Sequence, residues 1–299
     1  MIRKNSRQHL INQARLYLLA PRLREFWVRF KTRLKTWAGT DSGRERIFKT
    51  PFGPVRTLCF GLKNDATLPL YIDLHGGGFI MESAEMDSNL NRMFYQELGC
   101  KIISIDYPKA PAHPYPAAVN KVSAVVKEIL NRSVELKINT QRIIIGGHSA
   151  GANLAAACAL KFAESSLMPF SAVLLDYPIL DLSKSPYEKP FTKGAIPPHL
   201  AEIFDACYID PSQAKDPFVS PLYAPAALLK AFPATLIIAA GMDSLYDEAV
   251  RFSELLENAG APVEFRGFEK AHHGFTYGHS RESLEARQLM CDFMRRFVL

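Results

Sequence analysis

The sequence is poor in the features that mark several specialised classes of protein. Its five cysteines, Cys59, Cys100, Cys158, Cys207 and Cys291, are scattered, odd in number and never in C-x-x-C spacing. That excludes a disulfide framework or a cysteine zinc site as the organising feature. They fit reduced, mostly buried thiols in a cytoplasmic protein, and none has a histidine pattern that recommends it as a nucleophile. Long apolar runs are missing too. The longest near the start, Leu16-Tyr17-Leu18-Leu19-Ala20, is too short for a signal-peptide core or a membrane span, so neither export nor stable membrane insertion is expected. Acidic residues are nearly absent from residues 1–37, where Glu25 stands against ten Lys and Arg, a net of +9, while the remainder carries −3. The formal charge of +6 therefore belongs to an arm and not to the body.

What is present is a chain of 299 residues, 48% hydrophobic, long enough to bury a sizeable core in one large domain. Residues 9–37 space Leu10, Ala14, Tyr17, Leu18, Leu23, Phe26, Trp27, Phe30, Leu34 and Trp37 at threes and fours, with Pro21 interrupting. The pattern predicts two amphipathic helices. We expect this arm to lie over the body by its aromatic stripe, with no nucleic-acid partner; association of its basic face with an anionic surface stays open.

The body is organised around Arg142-Ile143-Ile144-Ile145-Gly146-Gly147-His148-Ser149-Ala150-Gly151-Ala152-Asn153-Leu154-Ala155. A β-branched run ends in glycine and helix formers restart after one serine, so the stretch predicts strand, sharp turn, helix. Side chains two residues either side of a serine at such a corner would collide with the neighbouring strand and helix, which accounts for Gly147 and Gly151. Ser149 is then displayed at the top of the sheet as a nucleophile, beside the N–H of Ala150 at a helix N-terminus.

Upstream, Ile47–Thr50, the turn Pro51-Phe52-Gly53-Pro54 and Val55–Phe60 predict a hairpin, followed by a strand over Leu68–Leu74. That strand runs into His75-Gly76-Gly77-Gly78-Phe79. Three glycines there are costly unless bare backbone is needed, and an oxyanion formed at Ser149 needs N–H donors. Gly77 and Gly78 are the expected donors beside Ala150, with Gly76 making the turn and the His75 ring bracing the loop. A helix from about Glu85 to Leu98, a strand over Lys101–Asp106, a rigid stretch with four prolines over Tyr107–Ala118 and a helix over 117–130 follow. Another strand is expected over Ala172–Tyr177.

Strands alternating with helices predict an α/β fold, a mostly parallel central sheet flanked by helices. The alternation lapses between Leu182 and Leu229, rich in proline and aromatics with one helix over His199–Cys207, as in an insertion lying over a site. The expected division is residues 1–45 as a helical cap arm and 46–299 as the catalytic domain, with a cap insertion at about 183–229.

A strand over Ala234–Ala240 leads to Gly241-Met242-Asp243, and one over Val263–Phe268 leads to Glu269-Lys270-Ala271-His272-His273-Gly274-Phe275. A terminal helix is expected from about Ser280. Asp243 is the first carboxylate after its strand and the best placed to orient a histidine; Asp247 and Glu248 lie on the following helix, to hold the cap or cap the helix end. The order Ser149, Asp243, His is the chain order of an α/β-hydrolase triad.

With those residues in view the chain resembles the hormone-sensitive-lipase-like family of α/β-hydrolases over roughly residues 70–280. The resemblance rests on His75–Phe79, on Asp106-Tyr107-Pro108 through Pro111, His113-Pro114 and Pro116-Ala117-Ala118, and on Gly147–Ala155. Ser220-Pro221-Leu222, Asp243-Ser244-Leu245-Tyr246-Asp247-Glu248 and His273-Gly274-Phe275 complete it. It implies an esterase on short- to medium-chain acyl esters with catalytic Ser149, Asp243 and His273, no metal or organic cofactor, and a cap over the site. It also selects His273 over His272, because the family's base directly precedes Gly-Phe. His148 stands where an aspartate is common, Ala152 replaces a common glycine, and Ser244 a usual proline. A non-catalytic small-molecule-binding protein on the same fold, an amidase or peptidase, and a homodimer stay open.

Overall fold

The computed structural model describes residues 4–18, Arg29 and 43–299. The second amphipathic helix expected after Pro21 and its stripe from Leu23 to Trp37 lie outside them.

Among the described residues eight strands make one sheet: β1 (Arg44–Thr50), β2 (Gly53–Phe60), β3 (Leu68–Leu74), β4 (Lys101–Asp106), β5 (Ile138–His148), β6 (Ala172–Asp176), β7 (Ala234–Ala240) and β8 (Val263–Phe268). Their spatial order is β1-β2-β4-β3-β5-β6-β7-β8. The expected hairpin β1–β2 is antiparallel and β2 lies antiparallel on β4, after which every neighbouring pair is parallel. Strands buried on both faces read as continuous apolar runs. Along β5, Ile143 and Ile145 enter one core with Leu70 and Ile72, while Ile144 enters the other with Tyr71 and Leu174.

The helices described over their whole length are α1 (Lys4–Tyr17), α2 (Ser88–Leu98), α3 (Ala117–Asn131), α4 (Ser133–Leu136), α5 (Ala150–Glu164), α6 (Pro198–Tyr208), α7 (Ala226–Lys230), α8 (Tyr246–Asn258) and α9 (Arg281–Val298). Val122, Val125, Leu154 and Phe252 from α3, α5 and α8 fill the first core, and Phe94 and Phe293 from α2 and α9 the second. α5 is buried without a break from Ala150 to Leu160, which only a helix of small side chains can be when it lies between a sheet and another helix. α2 starts at Ser88, three residues later than the pattern predicted, because Ser83–Ser88 is taken up by tight turns (Met86 N to Ser83 O, 2.9 Å; Ser88 N to Glu85 O, 3.2 Å). Asp87 does not cap it with its side chain; its carboxylate is turned toward Tyr277.

The segment 183–229 holds α6, two 3-10 turns (Pro211–Gln213 and Pro221–Tyr223) and α7. α1 packs on α6: Arg7 Nε donates to Ala206 O at 3.1 Å, its guanidinium pairs with Asp210 at 3.1 Å, and Ala14 and Leu18 are buried. Glu248 of α8 holds the start of the segment, its Oε2 accepting from Leu180 N at 2.7 Å and Asp181 N at 2.9 Å. No helix of the described residues is long and apolar enough to cross a membrane.

Candidate active site

The parallel strands point their carboxyl ends the same way, so the loops after β3, β5, β7 and β8 converge at one edge of the sheet. Between β5 and α5, Ser149 has φ +55° and ψ −115°, a strained conformation that the two glycines make room for. A Cβ on Gly151 would stand 1.9 Å from Leu74 O, and one on Gly147 2.5 Å from the same atom. The corner is clamped from the side by Ser149 N donating to Asp176 O at 2.9 Å.

Three segments distant in sequence meet there. Ser149 Oγ lies 2.9 Å from His273 Nε2, and His273 Nδ1 lies 2.5 Å from Asp243 Oδ2. Ser149 and Asp243 are buried, and the Tyr177 ring stands 4.8 Å from that of His273. A carboxylate can only accept, so Nδ1 carries the proton and Nε2 faces the serine as an acceptor. His272 is turned away: a Cβ on Gly194 of the insertion would fall 1.6 Å from its Nδ1. His113 is exposed in the proline-rich loop.

The glycine loop lies beside the serine. Gly77, Gly78 and Phe79 have φ of +110°, +57° and +65°, so the left-handed turn is made there and not at Gly76, which was expected to make it. Gly76 is small for another reason, since a Cβ there would crowd His148 O at 3.3 Å and Ser149 Cβ at 3.7 Å. The Gly77 carbonyl accepts from Ile80 N and Met81 N, both at 3.1 Å, which closes the loop into a tight turn, and Gly76, Gly77 and Gly78 line one cavity with Ser149. Ala150 is the first residue of α5, so its N–H has no partner within the helix.

His75 braces this loop. Its Nδ1 lies 2.7 Å from Gly76 O, its ring stacks on Tyr107 with centroids 4.2 Å apart, and the Tyr107 hydroxyl donates to His75 O at 2.8 Å. Burial pushes its pKa down, so a neutral ring donates to the carbonyl. Phe79 stacks on Tyr208 of α6 at 3.8 Å, tying the loop to the insertion.

Two cavities open on Ser149. One, of about 30 Å³, runs between Gly78, Ala150, Ile196 and Phe204. The other, of about 250 Å³, includes His273, Tyr177, Leu200 and Tyr277. The His148 ring lies beneath, buried, with Nδ1 2.7 Å from Asp176 Oδ2. Sequence reasoning singled out His148 but missed the acids around it, Asp73, Asp87 and Asp176. Two of these were legible as lone acids in apolar strands, Tyr71-Ile72-Asp73-Leu74 and Leu174-Leu175-Asp176.

A family model described as the alpha/beta hydrolase fold matches residues 71–277. An esterase of Acinetobacter venetianus is 31% identical over 228 residues, covering 75% of this chain and 72% of its own. An acetyl esterase of Salmonella paratyphi B is 27% identical over 292 residues, 96% of this chain and 86% of its own. Among solved structures, the thermophilic carboxylesterase EstE1 from a metagenomic library superimposes with a TM-score of 0.80 at 27% identity, over 93% of this chain and 98% of that one. The chain belongs to the α/β-hydrolase fold family and, within it, to the hormone-sensitive-lipase-like carboxylesterases.

Proposed function

We propose that this protein hydrolyses carboxylic esters of short acyl chains through an acyl-enzyme on Ser149. The observation that carries the reading is the chain of contacts from Asp243 through His273 to Ser149, 2.5 and 2.9 Å long, beside a loop of bare peptides. His273 Nε2 takes the hydroxyl proton as Oγ bonds to the ester carbonyl carbon, and the carbonyl electron pair moves onto oxygen. The N–H groups of Gly77, Gly78 and Ala150 hold that oxyanion. As it collapses, the alkoxide leaves with the proton from His273. Water, deprotonated by the same nitrogen, then releases the acid, while Asp243 keeps the imidazolium oriented.

Chain length follows from which side the proton is delivered. The leaving alcohol must lie toward His273, hence in the cavity of about 250 Å³, and the acyl chain in the one of about 30 Å³. The narrower space favours short acyl tails, and longer chains require Ile196 or Phe204 to move. In this reading α1 and residues 183–229 form a cap over these cavities; the rest of the expected cap arm lies outside the described residues. A cytoplasmic location is supported by five free cysteines, all buried.

Assays of p-nitrophenyl acetate through octanoate, with wild type and Ser149→Ala, test the proposal. The expected result is serine-dependent release that falls with acyl length. Absence of serine-dependent release would leave the non-catalytic binder standing, and faster turnover of the matching anilides would favour an amidase.

A further inference from the structure

Behind the nucleophile, three acids and one imidazole share a space closed to solvent. Asp73 lies near the end of β3, Asp87 just before α2, His148 at the end of β5 and Asp176 at the end of β6, each no more than 1% exposed. In each of the first three side chains one polar atom is held by a neighbouring side chain other than these three. Asn91 Nδ2 and Ser104 Oγ donate to Asp73 Oδ2 at 2.7 and 2.6 Å, and the Tyr277 hydroxyl donates to Asp87 Oδ1 at 2.5 Å. His148 Nδ1 donates to Asp176 Oδ2 at 2.7 Å, leaving a lone pair on Nε2. The remaining atoms, Asp73 Oδ1, Asp87 Oδ2 and His148 Nε2, have no hydrogen-bond partner. They face one another, all within 4.8 Å.

We propose that Asp73, Asp87 and His148 form a buried structural site for a divalent transition-metal cation, zinc being the best match. Two carboxylate oxygens and one imidazole nitrogen are ligands that zinc accepts. The outer partners are those that orient ligands around metals, above all the carboxylate on the far nitrogen of the histidine. Buried carboxylates facing one another demand positive charge between them. His148 Nε2 and Asp73 Oδ1 are 3.9 Å apart and the three ligand atoms lie within 4.8 Å of one another, against about 3.4 Å for ligands on a tetrahedral zinc with ~2.1 Å bonds, so closure on the ion draws the first pair in by about half an ångström and the widest by up to about 1.4 Å.

The rival is that protons supply the positive charge. Burial opposes a charge on His148, but Asp87, Asp176 and Asp73 outweigh it and push the ring up to about 9. Burial, reinforced by the Asp73 charge, pushes the Asp87 carboxyl well above the usual range. A proton-held cluster binds no metal, so the two differ in a measurable way. The ion touches no reacting atom. It joins the ends of β3 and β5 to the start of α2, and so holds the His75–Phe79 loop and Ser149 in register, whether or not the catalytic reading above is right.

The site is closed, so the ion enters during folding. The full chain is therefore refolded from denaturant with and without zinc chloride, desalted, and measured for bound metal and thermal midpoint. About one equivalent of zinc per chain and a higher midpoint than the metal-free sample are expected. Cobalt taken up by the wild type should show visible d–d absorption from nitrogen and oxygen ligands. Asp73→Asn should lose the ion, and Asp176→Asn, which alters only the outer partner of His148, should weaken zinc binding about 10- to 100-fold. Folded wild type with under about a tenth of an equivalent, or with the same midpoint in both samples, overturns the proposal. So does undiminished metal content in both variants, which would place the ion elsewhere. If Asp73→Asn does not fold, the wild-type metal content and Asp176→Asn decide.

Discussion

Lys189 Nζ lies 2.5 Å from Glu248 Oε1, with both side chains under a tenth exposed, and so couples the segment over the site to the helix after the Asp243 turn. Lys189 also donates to Asp181 O at 2.8 Å. Removing one member of a buried pair strands the other charge, at a cost of about 3–5 kcal/mol. Glu248→Ala should therefore lower unfolding free energy by about that amount, while the double variant Lys189→Met/Glu248→Leu recovers only the part due to the stranded ammonium, since Leu180 N and Asp181 N still lack their acceptor. Urea unfolding of the three proteins checks this.

In the proposed mechanism the serine and histidine act as a unit. Ser149→Ala and His273→Ala should each lower kcat by at least about 10⁴-fold, and the double variant by no more than the worse single one. Asp243→Asn, which permits the wrong imidazole tautomer, should cost about 10⁴-fold. Additive losses, measured on p-nitrophenyl acetate, would show that the groups do not share one step.

The glycine loop has a test with a built-in rescue. Proline at Gly77 is unsuitable, since φ there is +110° and proline is fixed near −65°. A Cβ on Gly78, by contrast, would strike Phe204 Cδ2 at 2.4 Å. Gly78→Ala should thus displace a donor peptide and lower kcat by about 10²-fold, the scale of one lost oxyanion contact. Gly78→Ala/Phe204→Ala should recover part of it, and an unrecovered loss would point to backbone strain alone.

Asp205 of α6 predicts a pH dependence of stability. Burial, helped by the charges of Glu248 and Glu202 and opposed by Lys189, raises its pKa from 3.8 to about 7. The folded chain thus holds a proton that the unfolded chain releases, so stability is fully present below about pH 4 and falls as pH rises to about 7. Asp205→Asn lacks this loss. The difference in thermal midpoint between variant and wild type should be small near pH 4, grow to pH 7 and level off above.

Strands β3, β4 and β7 fall where runs such as Lys101–Asp106 and Ala234–Ala240 predict them, because a strand buried on both faces is mostly apolar and turns bound it sharply; the edge strand β8 also falls where predicted, with Glu264 and Arg266 exposed on alternate positions. Ser149, Asp243 and the pair His272-His273 were legible because each follows a strand at the same end of a parallel sheet, and the choice of His273 came from the resemblance to the family. The start of α2 was less legible, since Glu85 and Asp87 read locally as helix formers but are drawn off by distant Arg56 and Tyr277.

The sequence by itself determined the order of the elements, the elbow and the glycine loop, since periodicity and backbone sterics are local and act between near neighbours. Only the tertiary structure decided that the left-handed turn falls at Gly77–Phe79, that Glu248 and not Asp247 secures the segment over the site, and that Asp73, Asp87 and His148 face one another. Those outcomes depend on which side chains meet across the sheet. Burial, charge compensation and hydrogen bonding between residues dozens of positions apart are properties of the packed chain and of no stretch within it.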